Sequence, residues 1–197
     1  MKTKVYVILH GIDQNSFTPY IRIPIKANES PYGTDKNYCQ NLPQFFGGTV
    51  EKDGSIIEAP SKNDIEATLK KEVEEESRTS LVLNLNFSKK IITTENKKKV
   101  KYIFYSCKDW QPTEISFEEG PDNKPEYKEM QCIIDIYREV FSGLEGEAII
   151  NKLLLEIKEK KDIEPTNAAL KEFNTSETRQ AFIEFITWWN SQGALEK

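Results

Sequence analysis

The stretch "LKKEVEEESRTS", residues 69–80, sets Glu72, Glu74, Glu75 and Glu76 within five positions and follows them with Arg78. Side chains three and four apart share a helix face, so on a helix Glu72, Glu75 and Glu76 converge while Glu74 points elsewhere. The carrier helix is expected from about Asp64 to Ser77, in "NDIEATLKKEVEEES" (63–77). Asn63 opens it and Glu66, three residues on, completes a capping box. Ile65, Leu69 and Val73 give it one apolar stripe. The acids then occupy the final turns, at the negative end of the macrodipole, where each costs roughly 0.3–1 kcal/mol and like-charge pairs add about 0.2–0.5 each. Lys70 and Lys71 offset part of this cost. A solvated acidic face is the plain reading of such a run. A hard divalent cation such as Mg²⁺ or Mn²⁺, which takes carboxylate oxygens together with water and phosphate, explains it better.

Outward from this helix the first part of the chain reads as mixed α/β. "KVYVILHGI" (4–12) and "YIRIPIKA" (20–27) are predicted strands, rich in β-branched and aromatic residues. "TSLVLNLNF" (79–87) alternates Leu81, Leu83, Leu85 and Phe87, and "KVKYIFYSCKDW" (99–110) is its expected hairpin partner across the Lys-rich turn in "NKKKVK" (96–101). "EEGPDNKPEYK" (118–128) is the most loop-like segment. Strand patterning gives way to helical patterning near residue 125. Ile149, Ile150, Leu153, Leu154 and Ile157 recur at helical spacing in "EGEAIINKLLLEIKEKK" (145–161) before Pro165 breaks the chain. A last helix, capped by Asn174 and Glu177 and ending at Gly193, carries Phe182, Phe185, Ile186 and Trp189 on one face. Such a stripe is a packing surface.

Composition narrows the classes. With 197 residues, 38% hydrophobic and 11% aromatic, the chain can bury a full core, and one domain over 1–197 is expected, with a core to about 145 and a helical extension over 146–197. No apolar run is long enough to span a bilayer, and the start "MKTKVYVILHGIDQ" reads as a strand, not a signal peptide. Cys39, Cys107 and Cys132 are odd in number and lack CxxC spacing, which argues against a disulfide framework or structural zinc and fits a reducing cytoplasm. A net charge of −5 disfavours a nucleic-acid partner held by counterion release. The single His10, at the end of an apolar strand, is read as structural, and no Ser/His/Asp or Cys/His set can be assembled without it.

Ahead of the acidic helix, "NLPQFFGGTVE" (41–51) sets Gly47 and Gly48 between an apolar stretch and Thr49–Val50. With the Gly pair, the helix and "KEVEEESRT" (71–79) in this order, the chain resembles the Nudix hydrolase family, whose signature runs over loop, helix and loop. Lys71 stands where the family has Arg, Glu72 at the following Glu, Val73 at the aliphatic position, and Glu75 and Glu76 at the Glu pair. The departures are specific. Asn63 falls where the signature's first Glu would stand, Ile57 where its Gly would, and Arg78 replaces the closing Gly. Between Gly48 and Lys71 lie nine residues more than the signature has, so an insertion is placed within "EKDGSIIEAPSKN" (51–63), where Glu58 is a candidate for the displaced Glu.

The resemblance implies an α/β/α sandwich around a mixed sheet, with the C-terminal helices as an addition. It also implies a hydrolase of a pyrophosphate bond in a nucleoside diphosphate derivative or related phosphate compound, using Mg²⁺ or Mn²⁺. Glu72, Glu75, Glu76 and the Gly48 carbonyl are the implied metal ligands, with Lys71 part of the catalytic group. Glu129 is the candidate outside acid. Phe45, Phe46, Tyr38 and Tyr20 are candidates to stack on a base. The partner is then a small-molecule nucleotide or phosphate compound, with a homodimer left open. The changes at Asn63, Lys71 and Arg78 support an alternative: a Nudix-like binding, sensor or protein-interaction module with little or no turnover.

Overall fold

The computed structural model describes residues 1–28, 40–77, 79–80, 84–95, 98–108, 113–114 and 130–193. Tyr38, Cys39, Arg78, Leu81, Leu83, the 118–128 loop and Glu129 lie outside the described residues. Two compact units are present, one formed by 1–10 and 45–127, the other by 11–44 and 128–197.

The first unit is built on a mixed sheet. Strand β1 (Lys2–Ile12), of which residues to His10 belong here, pairs antiparallel with β3 (Phe46–Thr49) and parallel with β8 (Lys98–Lys108). Antiparallel to β8 runs β7 (Leu85–Glu95), with a bulge between Leu85 and Ser88. The hairpin expected around the Lys-rich turn is present, Glu95 facing Lys98, but its first strand starts later than the 79–87 reading; Thr79–Ser80 instead form a short β6 against β9 (Thr113–Glu114). The mixed α/β class and the mixed sheet agree with expectation. β1 explains the parallel pairing. Thr3, Val5 and Val7 alternate into the core, and Ile8, Leu9 and His10 are then buried in succession, the pattern of a strand covered on both faces.

Between β3 and the acidic helix, β4 (Glu51–Lys52) and β5 (Ser55–Ile56) form a hairpin. Asp53 and Gly54 take φ of 53° and 75° at its turn. Asp-Gly is the dipeptide that tolerates two successive left-handed residues, so the sequence itself closes this hairpin. Helix α1 (Lys62–Ser77) follows and packs on β3, burying Thr68, Leu69 and Val73. Ile65, the third stripe position, is only half-buried. The cap differs from the sequence reading. Ser61 and Asp64, not Asn63 and Glu66, form the reciprocal pair: Ser61 N–H donates to Asp64 Oδ2 at 2.8 Å, and Asp64 N–H to Ser61 Oγ at 3.2 Å. Asn63 sits inside the helix, and Glu66 pairs instead with Lys62 at 3.5 Å.

In the second unit β2 (Pro19–Lys26) pairs antiparallel with β10 (Met130–Tyr137), a strand that lies beyond the expected change to helical character near 125. Arg22 faces Asp135 directly and donates two hydrogen bonds to its carboxylate, both 2.7 Å. A 3₁₀ turn (Arg138–Phe141) leads to α2 (Glu147–Lys161), α3 (Asn167–Phe173) and α4 (Glu177–Gly193). α2 buries Ile149, Ile150, Leu153 and Ile157 and leaves Leu154, the other expected position, only half-buried, while α4 buries Phe182, Phe185, Ile186 and Trp189. The α4 cap is Ser176, whose Oγ accepts the Arg179 N–H at 3.1 Å. Asn174 is instead the C-cap of α3, its N–H bonded to Leu170 O, two residues before the cap position of α4. No helix among the described residues is long and apolar enough to cross a membrane.

Candidate functional site

The Gly pair lies within β3, and each glycine is required for a different reason. Gly47 has φ +145°, and a Cβ there would lie 2.1 Å from the Val5 carbonyl oxygen and 2.7 Å from Tyr6 Cα. Its neighbours are backbone, so they cannot yield. At Gly48 a Cβ would meet Glu72 Oε1 at 2.6 Å and Glu72 Oε2 at 3.0 Å. Absence of a side chain there lets the Glu72 carboxylate rest on the strand.

One turn further along α1, Glu76 reaches the same strand, its Oε2 accepting the Gly47 N–H at 3.0 Å. The i, i+4 spacing read from the sequence therefore delivers Glu72 and Glu76 to one backbone segment. Glu75 goes elsewhere. Its Oε2 lies 3.8 Å from Lys71 Nζ, with the Glu75 side chain 17% exposed and that of Lys71 67%. The expected three-carboxylate cluster is divided: among the described residues no three His, Cys, Asp or Glu are gathered as a metal-holding group. Like charges on adjacent turns repel, and each acid has found a donor within reach, Glu76 the Gly47 amide and Glu75 the Lys71 ammonium.

Other candidates are placed as follows. Phe45 and Phe46 are 1% and 0% exposed, and Phe45 meets Phe104 edge-on at 5.1 Å between ring centres. These rings belong to the core, with no open face for a base, which corrects their assignment as stacking residues. Tyr20 is half-buried with the Arg22 guanidinium 6.0 Å from its ring centre, and burial pushes its phenol up. Glu58, at 85% exposure, pairs with the N-terminal ammonium at 3.9 Å. His10 is buried on β1. Among the described residues Cys107 and Cys132 are free thiols.

Beside Glu72 opens a cleft of about 400 Å³ between α1 and the β4–β5 hairpin. It is lined by Thr49, Glu51, Lys52, Asn63, Asp64, Ala67, Thr68, Lys71 and Glu72. Ser61 donates to the Asp64 carboxylate from both its hydroxyl and its amide, which holds that acid below the usual carboxylate range. Sequence reasoning missed Lys52 as a lining residue, although the Asp-Gly turn signal beside it was present to be read. A second cleft of about 490 Å³ lies on the other flank of α1, against Asn84, Asn86, Ser88 and Tyr105. Burial there pushes the Tyr105 phenol up, with Glu66 adding to it.

No protein-family model and no curated protein matches the sequence. The chain is similar to solved structures described as Nudix proteins or nucleotide hydrolases. One is the Nudix hydrolase RenU from M. smegmatis, at 7% identity and TM-score 0.47, covering 94% of this chain and 86% of that one. Another is the Ap4A hydrolase of C. elegans, at 11% identity and TM-score 0.42, with coverages of 88% and 96%. A third is the Nudix domain of Shewanella oneidensis NrtR complexed with ADP ribose, at 11% identity and TM-score 0.39, with coverages of 68% and 71%. At this level of similarity a functional reading has to stand on the residues of the chain itself.

Proposed function

We propose that this protein is a Nudix-type hydrolase that cleaves a pyrophosphate bond in a nucleoside diphosphate derivative or related phosphate compound, with Mg²⁺ or Mn²⁺ as cofactor. The observation that carries the reading is the seating of Glu72 and Glu76 on Gly47–Gly48, where the strand has no side chain to hold the carboxylates off. The donors fit a hard cation in kind, being carboxylate and carbonyl oxygens with no thiol or imidazole among them. Glu72 and Glu76 would hold it, joined by the Gly48 carbonyl and by Glu75 once it leaves Lys71. A bound cation would neutralise diphosphate charge and acidify a water.

The chain's own groups do the rest. The Gly47 N–H fixes one oxygen of Glu76, so this side chain presents a set orientation to the reacting water, the placement that a general base or water-orienting group needs. Lys71, whose ammonium lies 3.8 Å from Glu75, would supply positive charge toward the leaving phosphate once Glu75 turns to the cation. Water oxygen adds to one phosphorus, the bridging P–O bond breaks, and two phosphate products leave with the water's protons shared between base and solvent. The competing reading, a binding or sensor module, draws on one observation: Glu75 is held by Lys71, and that lysine stands where the family signature has the bidentate guanidinium.

Phosphate release from a panel of nucleoside diphosphate derivatives, with millimolar Mn²⁺, decides between them. Glu72→Gln and Glu76→Gln are each expected to lower turnover by about 100-fold or more. A Mn²⁺-dependent rise in thermal stability without turnover would support the binding module. Turnover indifferent to both glutamates would overturn the site.

A further inference from the structure

The hairpin of β7 and β8 carries a charged face that the hydrolase reading leaves unused. Its register sets Ser88 opposite Tyr105, Lys90 opposite Ile103, Ile92 opposite Lys101 and Thr94 opposite Lys99, and alternate positions of a strand share a face. Ser88 and Tyr105, at one end of that face, line the cleft against α1. Toward the hairpin turn the same face lies open. Lys90 and Lys99 are exposed there, and Ile92 stands 59% exposed with Lys101 directly across from it. Three lysines thus flank one apolar side chain at neighbouring positions, roughly 5–8 Å apart on a pleated sheet. Their cross-strand neighbours are uncharged, and among the described residues none of the three makes an ion pair or a side-chain hydrogen bond. β7 is also the last strand of its sheet, so among the described residues its outer edge pairs with no other strand. Such an edge is a template for one more strand.

We propose that this edge and face form a docking site for an extended acidic segment of a partner protein, added to β7 as a further strand. One carboxylate would lie beside Lys90, an apolar side chain beside Ile92, and a second carboxylate toward Lys99 and Lys101. In strand addition the main chain supplies affinity and alternate side chains supply specificity. Every second residue of the segment falls on the lysine face, so the pattern it presents is acid, apolar, acid at positions i, i+2 and i+4. Other occupants use less of the surface. A second copy paired about the midpoint of β7 would set Lys90 against its own counterpart, and like charges directly opposite destabilise a sheet. A nucleic-acid backbone would meet the lysines but gain nothing from Ile92, and the net charge of −5 opposes its approach. A bilayer would engage the lysines and Ile92 but leave the strand edge unpaired.

The test uses the full chain and a fluorescein-labelled peptide, Ser-Ser-Glu-Thr-Val-Thr-Glu-Ser-Ser, read by anisotropy and by amide chemical-shift mapping on isotope-labelled protein. Binding should move the amides of β7 most. It should weaken about 5-fold or more in the Lys90→Ala, Lys101→Ala double variant, and also as salt rises from about 0.05 to 0.5 M. Ile92→Ser should weaken it without changing the salt response. Thermal midpoints of the variants should stay near the native one, since these side chains are exposed or half-exposed. The same peptide with proline in place of both threonines cannot continue the ladder and should not bind, which separates strand addition from attraction between loose charges. No binding at millimolar peptide, equal binding by native and double variant, or equal binding of the proline peptide overturns the proposal. So does lysine-dependent binding of a DNA duplex, or of vesicles containing phosphatidylserine, when the peptide itself does not bind.

Discussion

Replacing Gly48 by alanine separates the stability of the fold from the state of the site. A Cβ at this position would stand 2.6 Å from Glu72 Oε1, and ordinary contact begins at 3.4 Å, so the carboxylate has to retreat by about 0.8 Å. Unlike Gly47, Gly48 does not have positive φ, and a strand accommodates alanine there. Moving the tip of Glu72 off its rotamer costs roughly 0.5–1.5 kcal/mol, while the loss of glycine's freedom in the unfolded chain returns about 0.4–1 kcal/mol. The net change is within about 1 kcal/mol, or a midpoint shift of about 2–4 °C for a chain of this length. The cation response should behave differently. At a Mn²⁺ concentration near 100 times its dissociation constant the native chain gains about 2.7 kcal/mol, or roughly 5–11 °C. With Glu72 displaced, most of that gain should vanish. Thermal unfolding with and without Mn²⁺, on native and Gly48→Ala protein, reads both quantities in one experiment. A variant that keeps the full Mn²⁺ shift refutes the role given to Glu72. A metal-free loss of more than about 3 kcal/mol would show that the crowding at Gly48 is borne by the backbone and not by a side-chain tip.

Gly47→Ala should have the opposite signature, since its Cβ meets the Val5 carbonyl at 2.1 Å and its φ of +145° is disfavoured for alanine. Urea unfolding should report a loss of about 3 kcal/mol or more, or no folded protein at all. In the second unit, Asp13 Oδ1 accepts the Asn15 and Ser16 N–H groups at 2.8 and 2.9 Å, and Oδ2 accepts the Tyr137 hydroxyl at 3.0 Å. These bonds, led by the Ser16 amide, hold its carboxyl below its ordinary 3.8. A depressed folded-state value stabilises above the unfolded one and is lost as pH falls through the folded one. Unfolding midpoints followed from about pH 4 to 2 should therefore drop less steeply in Asp13→Asn than in the native chain, and an unchanged profile would contradict the assignment.

Features that depend on local periodicity were legible along the chain. Leu69 and Val73 are buried on α1, the Phe182 to Trp189 face is core, and β1 and β2 stand close to where their β-branched runs place them. The same helical arithmetic puts Glu72 and Glu76 one turn apart on one face. What it could not resolve is competition between neighbours. Either Ser61 or Asn63 could open α1, and the serine prevails because its partner Asp64 answers with a carboxylate to the Ser61 amide and hydroxyl. Register was equally hidden. "FSKKIITTE" lacks clean alternation, and β7 exists because β8 supplies its hydrogen-bonding partners, Ser88 opposite Tyr105 through Glu95 opposite Lys98.

What the acidic run faces depends on packing between distant segments. Spacing joins Glu72, Glu75 and Glu76, but the approach of β3 divides them, giving two to the Gly pair and leaving the third with Lys71. Phe45 and Phe46 were likewise ambiguous between a stacking surface and a core until packing buried both. The segment between Val50 and α1 closes as the β4–β5 hairpin, which puts Lys52 beside the cleft. Helical and strand periods are properties of consecutive residues and can be read along the chain. The partner of each charge is set by which distant backbone comes within reach of it, and no count of spacings contains that information.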